Sequence, residues 1–375
     1  MAHAYTPGLR VTADASLRRT RRLPMKGQVL AQIGDTVLRQ QVVARTELPG
    51  NVHTMNIVNR LGISADELPT FMLKSQGEAV TKGEVIAETR PLIKWFKTSV
   101  EAAIDGTVES ISAITGQVLL REAPLPVEIM AYVDGTIVEV IADEGVVVET
   151  RGAFVQGIFG VGGESYGPLH LISERPGEDL TPEAIDNDCA GRIIVGTGLV
   201  THAVIDKARQ VDAAGVIGAG IHDSDLRNLL GYDLGVAITG AEDIGLTVIV
   251  TEGFGRIAMA GRTFEILKGC HGREASLSGA TQIRAGVMRP EIIVPDLENV
   301  SSSEDGHTGH GGGMAEGDAL RVIRAPYFGH IGTVGKLIAD LQQVESGASV
   351  RVLEVEFEDG TRAVVPRANV ELIEE

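Results

Sequence analysis

The stretch Gly34-Asp35-Thr36-Val37 returns later in the chain as Gly77-Glu78-Ala79-Val80. A second phrase, Asp105-Gly106-Thr107-Val108, recurs as Asp134-Gly135-Thr136-Ile137. Glycine permits a turn with positive φ, and an acidic residue beside it tolerates the turn. Threonine, valine and isoleucine favour strands on either side. The repeated phrases therefore predict small, closed β structures in the first half of the chain.

Composition limits the classes of function. The chain has 375 residues, enough for about two to four domains, and a formal net charge of -18. Such a charge disfavours a general polyphosphate or nucleic-acid binder and favours basic partners. Its two cysteines, Cys189 and Cys270, exclude a four-cysteine zinc site, an iron–sulfur cluster and a disulfide framework. We expect neither a metal nor another cofactor.

Hydropathy predicts a soluble cytoplasmic protein with no membrane partner. The start of the chain lacks the apolar core of a secretory signal. No apolar run approaches the roughly 20 residues that span a bilayer.

Periodicity and composition predict a multidomain β-rich chain with a central parallel α/β layer. Alternating apolar and polar residues predict strands in the first half, whereas strand and helix patterns alternate after residue 189. The expected segments are a basic arm at 1–22, a β domain at 23–175, an α/β domain at 189–298, a Gly/Ser-rich linker at 299–317 and a β barrel at 318–375.

The basic run Arg18–Arg22 in the expected arm has several interpretations. It could contact phosphate or an acidic protein face. It could equally be a solvated arm, or it could neutralise the acidic surface of the chain itself.

Residues 23–160 resemble the barrel-sandwich hybrid fold of biotinyl and lipoyl carrier domains. The segment Leu23–Val37 is most similar to the N-terminal module of the Rnf complex C subunit, although this chain lacks the cysteines for that subunit's iron–sulfur clusters. In a carrier the modified lysine lies in the interval that here holds Lys94 and Lys97. Neither lysine has the flanking residues that a ligase recognises, so we expect both to be unmodified.

The segment Gly317–Val334 resembles a KOW motif, which marks SH3-like barrels in the elongation factor NusG and in several ribosomal proteins. Gly332 matches the central glycine of that motif, and Val334 follows it. The resemblance implies contact with RNA, the ribosome or RNA polymerase, with Arg321 and Arg324 as the nearby cations. The segment after residue 318 is net acidic, which favours a protein-contact or structural role instead.

The α/β domain holds the best candidates for a ligand site, because parallel sheets bind ligands beyond the carboxyl ends of their strands. Glycine-bearing loops and polar residues follow three predicted strands. These residues predict a small anion site with acid–base groups; the alternative is that they only form turns and helix caps. The candidates are Thr197, Gly198, Gly220, His222, Asp223, Glu252 and Arg284.

The leading hypothesis is a non-catalytic binding or scaffold protein with protein partners. One alternative is an RNA-, ribosome- or polymerase-associated factor that acts through the KOW-like segment. Another is an enzyme or sensor that binds a small anion in the α/β domain.

Overall fold

The computed structural model describes residues 9–89, 97–231, 242, 244–281, 288–296, 314–322, 327, 330–343, 349–357 and 360–374. It is β-rich, with several sheets and a few short helices, as the sequence predicts.

The elements of the first half are β1 (Leu9–Arg22), β2 (Gln28–Val29), β3 (Thr36–Val37), β4 (Val42–Leu48), β5 (Val52–Asn56), α1 (Ile57–Leu61), α2 (Leu68–Phe71), β6 (Ala79–Val80), β7 (Val85–Glu88), β8 (Ser99–Glu101), β9 (Gly106–Ile111), β10 (Gln117–Arg121), β11 (Leu125–Met130), β12 (Gly135–Ile141) and β13 (Gly145–Gln156).

The elements of the second half are β14 (Phe159–Val161), β15 (Glu164–Leu171), β16 (Ile193–Val195), β17 (Leu199–Val200), α3 (His202–Gln210), β18 (Gly215–Ile221), α4 (Asp223–Leu230), β19 (Thr247–Phe254), α5 (Gly261–Gly269), β20 (Glu274–Ser278), β21 (Glu291–Pro295), β22 (Ala319–Val322), β23 (Ile331–Gln343), β24 (Ser349–Phe357), β25 (Arg362–Pro366) and β26 (Val370–Glu374).

One β module is inserted into another. Strands β2, β3 and β4 pair with each other or with β11 and β12 to form the outer module, residues 23–48 and 125–141. The nested module, residues 51–122, leaves the chain between β4 and β11 and has its own sheet and hydrophobic core. At the neck, Gly50 lies so close to the carbonyl of Glu122 that no side chain fits. The nested module therefore separates the two halves of the outer module in the sequence, although these halves pair with each other in space.

The repeated phrases pair with each other in space. Gly34 donates its N–H to the carbonyl of Ile137 (2.8 Å), and Ile137 donates back to Asp35 (2.9 Å). The Asp35 carboxylate closes the turn by accepting the N–H of Gln32 at 2.7 Å. The same arrangement joins Gly77 and Glu78 to Val108, and Gly317 and Asp318 to Val334. Each Gly-acid turn is therefore hydrogen-bonded to a strand that carries Gly-Thr at its start.

The α/β unit, residues 157–281 and 288–295, has the expected parallel strands. Strands β15, β16, β18 and β19 pair in parallel, and β14 and β20 border them in antiparallel fashion. Helix α3 packs on one face of this layer and α5 on the other. The predicted domain boundary at residue 175 is wrong, because β14 and β15 already belong to this sheet.

The polar segment Pro176–Asp188, which lies between the domains predicted at 23–175 and 189–298, separates no domains. Leu180 and Ile185 are buried in the core beside α3, and Gly177 donates its N–H to Thr197. Short 3-10 turns at Pro182–Ala184 and Asn187–Cys189 carry the chain into β16. The polar composition of this segment gave no indication that Leu180 and Ile185 are buried.

The expected irregular arm at 1–22 is wrong for the residues that the structure describes. Strand β1 pairs with β13 along most of its length, and Leu9 and Arg10 pair with the last strand, β26. Four of its arginines each meet a glutamate at 3.2 Å or less, so the run neutralises the acidic surface of the chain itself. The pairs are Arg18–Glu149, Arg19–Glu291, Arg21–Glu164 and Arg22–Glu144.

In the C-terminal unit, residues 314–374, the described strands β22 to β26 pair in antiparallel fashion around their own core, and β26 joins them to β1. The expected linker at 299–317 lies outside the described residues up to residue 313; its end, 314–317, forms the turn that leads into β22.

Candidate functional site

Thr197 and Gly198 stabilise a loop of the α/β unit. Thr197 is fully buried, and its hydroxyl donates to the carbonyl of Arg175 at 2.5 Å. A side chain at Gly198 would collide with Glu178 and Asp179. Both residues hold the 175–180 segment against the sheet, so neither offers a free group to a ligand.

The loop after β18 has a similar structural role. Gly220 lies against the carbonyl of Gly255, which leaves no space for a Cβ atom. His222 precedes α4 as its N-cap residue but makes no capping bond with its side chain. Asp223 is exposed and pairs with Arg227 one helical turn later at 3.0 Å. These positions form a turn and a helix start, which was the alternative interpretation.

Glu252, at the end of β19, has both carboxylate oxygens engaged. Its Oε1 accepts the N–H of Ala260 at 3.1 Å, and its Oε2 accepts from the Arg321 guanidinium at 2.6 Å. The side chains of Glu252 and Arg321 are 6% and 3% exposed. Because a charge in low dielectric is costly without a partner, this pair ties β22 of the C-terminal unit to the α/β unit.

The KOW-like residues are placed by these contacts. The KOW resemblance implied Arg321 as a cation near the motif, but the structure buries its guanidinium on Glu252. Gly332 and Val334 belong to β23, and Val334 exchanges backbone hydrogen bonds with the Gly317–Asp318 turn. Arg324 and Arg284 lie outside the described residues, as do Lys94, His307 and His310.

A cavity of about 400 Å³ lies over the Glu252–Arg321 pair. Three parts of the chain line it: β1 with Leu9 and Val11, the first turn of α5 with Gly261 and Thr263, and the C-terminal unit with Ala319, Ile331 and Phe357. A volume of roughly 300–1,000 Å³ is typical of small-molecule pockets. The structure thus brings together residues from two predicted sites, Glu252 and Arg321, and adds a pocket that neither prediction contained.

The walls of this cavity were missed because they come from distant segments. The alternation of Leu9, Val11, Ala15 and Leu17 was a strand signal, but the basic run Arg18–Arg22 that follows dominated the interpretation. Helix α5 was predicted, whereas its position beneath the C-terminal unit had no local signal.

Titratable groups elsewhere do not resemble a poised catalytic site. Burial raises the pKa of the Cys189 and Cys270 thiols, which disfavours the nucleophilic thiolate. Burial, with Arg192 nearby, lowers the pKa of His170. Among the described residues, no cluster of three or more metal-ligating side chains occurs.

No protein-family model matches this chain, and no curated protein matches it significantly. In the part of the chain that the structure describes, every helix is too short or too polar to cross a membrane.

Proposed function

We propose that this protein is a non-catalytic binding and scaffold protein that holds a small molecule between its α/β unit and its C-terminal unit. The cavity over the Glu252–Arg321 pair carries the proposal. A ligand there contacts β1, α5 and the C-terminal unit at once, so binding stabilises their arrangement. The net charge of -18 suits basic protein partners for the assembled modules.

The non-catalytic part of the proposal rests on how the candidate acid–base groups are used. A general base needs a lone pair within reach of the substrate proton. Glu252 is buried against the Arg321 guanidinium in an ion pair that proton uptake by the carboxylate would break, and the Thr197 hydroxyl is committed to the carbonyl of Arg175. These bonds stabilise the fold and leave binding as the chemistry that the site supports best.

We also propose fold assignments for the modules. The outer and nested modules are barrel-sandwich hybrids, and the C-terminal unit is an SH3-like barrel. Support comes from the shared Gly-acid turns and from the separate cores of the nested and C-terminal units.

Native mass spectrometry of protein purified from its own cells tests the function. We expect one small-molecule adduct on the wild type, lost on denaturation. Gly261→Trp places a large side chain where the first turn of α5 lines the cavity, and a Cβ atom there meets open space. This variant should lose the adduct. Gly269→Trp, at the other end of α5 and also in open space, is the matched control and should keep it. The same adduct on all three proteins would contradict the proposal.

The RNA-associated factor remains a second candidate because of one aromatic cluster. Tyr327, His330 and Phe357 have ring centroids 5.3–6.2 Å apart, and aromatic rings can stack on bases. The cations expected to assist this cluster are less favourable for phosphate binding. Arg321 is buried on Glu252, and four arginines of β1 are paired with glutamates.

We therefore expect only weak binding of bulk single-stranded RNA at about 150 mM salt, measured by fluorescence anisotropy. A phosphate-binding surface needs free cations, and those of β1 meet glutamates. Exposed Arg18→Gln should leave the weak binding unchanged. Tight binding with a steep salt dependence would favour the RNA-associated candidate.

A further inference from the structure

The charges around the cavity balance. Glu252 and Glu356 line it, and so do Arg262 and Arg321. Glu252 is neutralised by Arg321 at 2.6 Å, and Glu356 pairs with Arg362 at 3.0 Å. The two glutamates and two arginines of the lining give it no net formal charge, so a charged ligand would lose hydration without a net counter-charge to offset that loss. This argues against the anion expected from the sequence.

Much of the remaining lining is apolar. Leu9 and Val11 are each 4% exposed, and Phe357 is 6% exposed. With Ala260 and Ile331 they give hydrocarbon surface from three separate parts of the chain. Burial of apolar ligand surface against such walls contributes about 25 cal/mol per Å², so affinity should come mainly from an apolar body.

Three threonines line the cavity. The Thr251 hydroxyl donates to the carbonyl of Gly218 at 3.4 Å and Thr333 is exposed, so Thr263 supplies the buried polar contact. Thr263, in the first turn of α5, is 3% exposed and lines the cavity. Its hydroxyl has no hydrogen-bond partner among the described residues. A buried polar group normally finds a partner, and the cavity is the space in which this one can do so. The amide of Gln156 also lines the space; its oxygen is already used by the N–H of Arg10 at 3.0 Å.

We infer that the cavity, with its volume of about 400 Å³, binds an uncharged, largely apolar molecule that makes a hydrogen bond with the Thr263 hydroxyl. This inference rests on the proposed function and assigns the ligand class of the same site. It excludes nucleotides, phosphates and carboxylates as the preferred ligands.

Two fluorescent probes test the ligand class. N-phenylnaphthylamine is neutral and carries one N–H group, whereas anilinonaphthalene sulfonate adds a negative charge to nearly the same ring system. We expect saturable binding of the neutral probe to the full chain, at least about tenfold tighter than binding of the sulfonate, a difference of about 1.4 kcal/mol. Thr263→Val should weaken the neutral probe several-fold, because the hydroxyl is lost while the shape is kept.

Variants locate the binding. Gly261→Trp should weaken the neutral probe by about tenfold or more, and Gly269→Trp should not. Ala319→Trp obstructs the cavity from the C-terminal unit and replaces Gly261→Trp if circular dichroism shows that the first variant is unfolded. Tighter binding of the sulfonate, blocked by the same variants, would overturn the ligand class and leave the proposed site intact. Probe binding that ignores every cavity variant, or no binding of either probe, would overturn both.

Discussion

Replacing Arg321 with methionine is expected to lower the free energy of unfolding by about 3–5 kcal/mol. The substitution leaves the Glu252 carboxylate buried without its cation, at 6% side-chain exposure. Glu252→Leu should lower the free energy of unfolding by a similar amount, because it leaves the Arg321 guanidinium buried without its carboxylate. The double variant should cost clearly less than the sum, since two apolar side chains can replace a buried pair. Urea unfolding followed by circular dichroism measures all three.

A surface pair provides the control. Arg18 lies 2.7 Å from Glu149, but its side chain is 69% exposed. Arg18→Met should therefore change the free energy of unfolding by no more than about 1 kcal/mol. If Arg321→Met cost no more than this control, the buried pair would not be what holds the C-terminal unit on the α/β unit.

Alanine at Gly106 is expected to destabilise the nested module by about 3 kcal/mol, near the upper end for overpacking. A Cβ atom there would lie closer than 3.0 Å to the backbone carbonyl of Arg121, which cannot move without breaking the β9–β10 pairing. Gly135 in the outer module and Gly332 in the C-terminal unit face a neighbouring carbonyl in the same way. Their alanine variants should be destabilised similarly, as measured by thermal unfolding.

Gly269→Ala is the matched control for this series. It lies at the end of α5, where a Cβ atom meets open space. Alanine favours a helix over glycine by about 0.5–1 kcal/mol, so this variant should be neutral or slightly stabilising. Equal losses at Gly106 and Gly269 would refute the role of the repeated Gly-Thr strands.

The local features of the fold could be predicted from the sequence, because turn chemistry and periodicity act between neighbours. The phrases at Gly34 and Gly77 were readable in this way, and so was helix α4 at Asp223–Leu230. The insertion of one module into another was not, since it depends on the pairing of β4 with β11 across the whole nested module.

The candidate site was harder to predict, because burial decides what a polar residue does. Thr197 and Glu252 had the residue types of a ligand site, but their partners, Arg175 and Arg321, determine that they are structural. Glu252 and Arg321 are 69 positions apart, and each was assigned to a different site. The glutamates that pair with the β1 arginines lie still further away along the chain. The sequence of a run of arginines does not indicate which distant glutamates will pair with it.

The pairing of β1 with β26 sets an order of events during synthesis. Leu9 pairs with Ile373. The first described strand to leave the ribosome, β1, therefore has one of its partner strands, β26, at the far end of the described chain. The nested module is complete once residue 122 has emerged, before either outer half has found its partner. Forming it draws the outer halves together and shortens the loop that they must close. Assembly on the ribosome should therefore proceed from the inside outwards, with most of β1 pairing with β13 and its Leu9–Arg10 end waiting for β26.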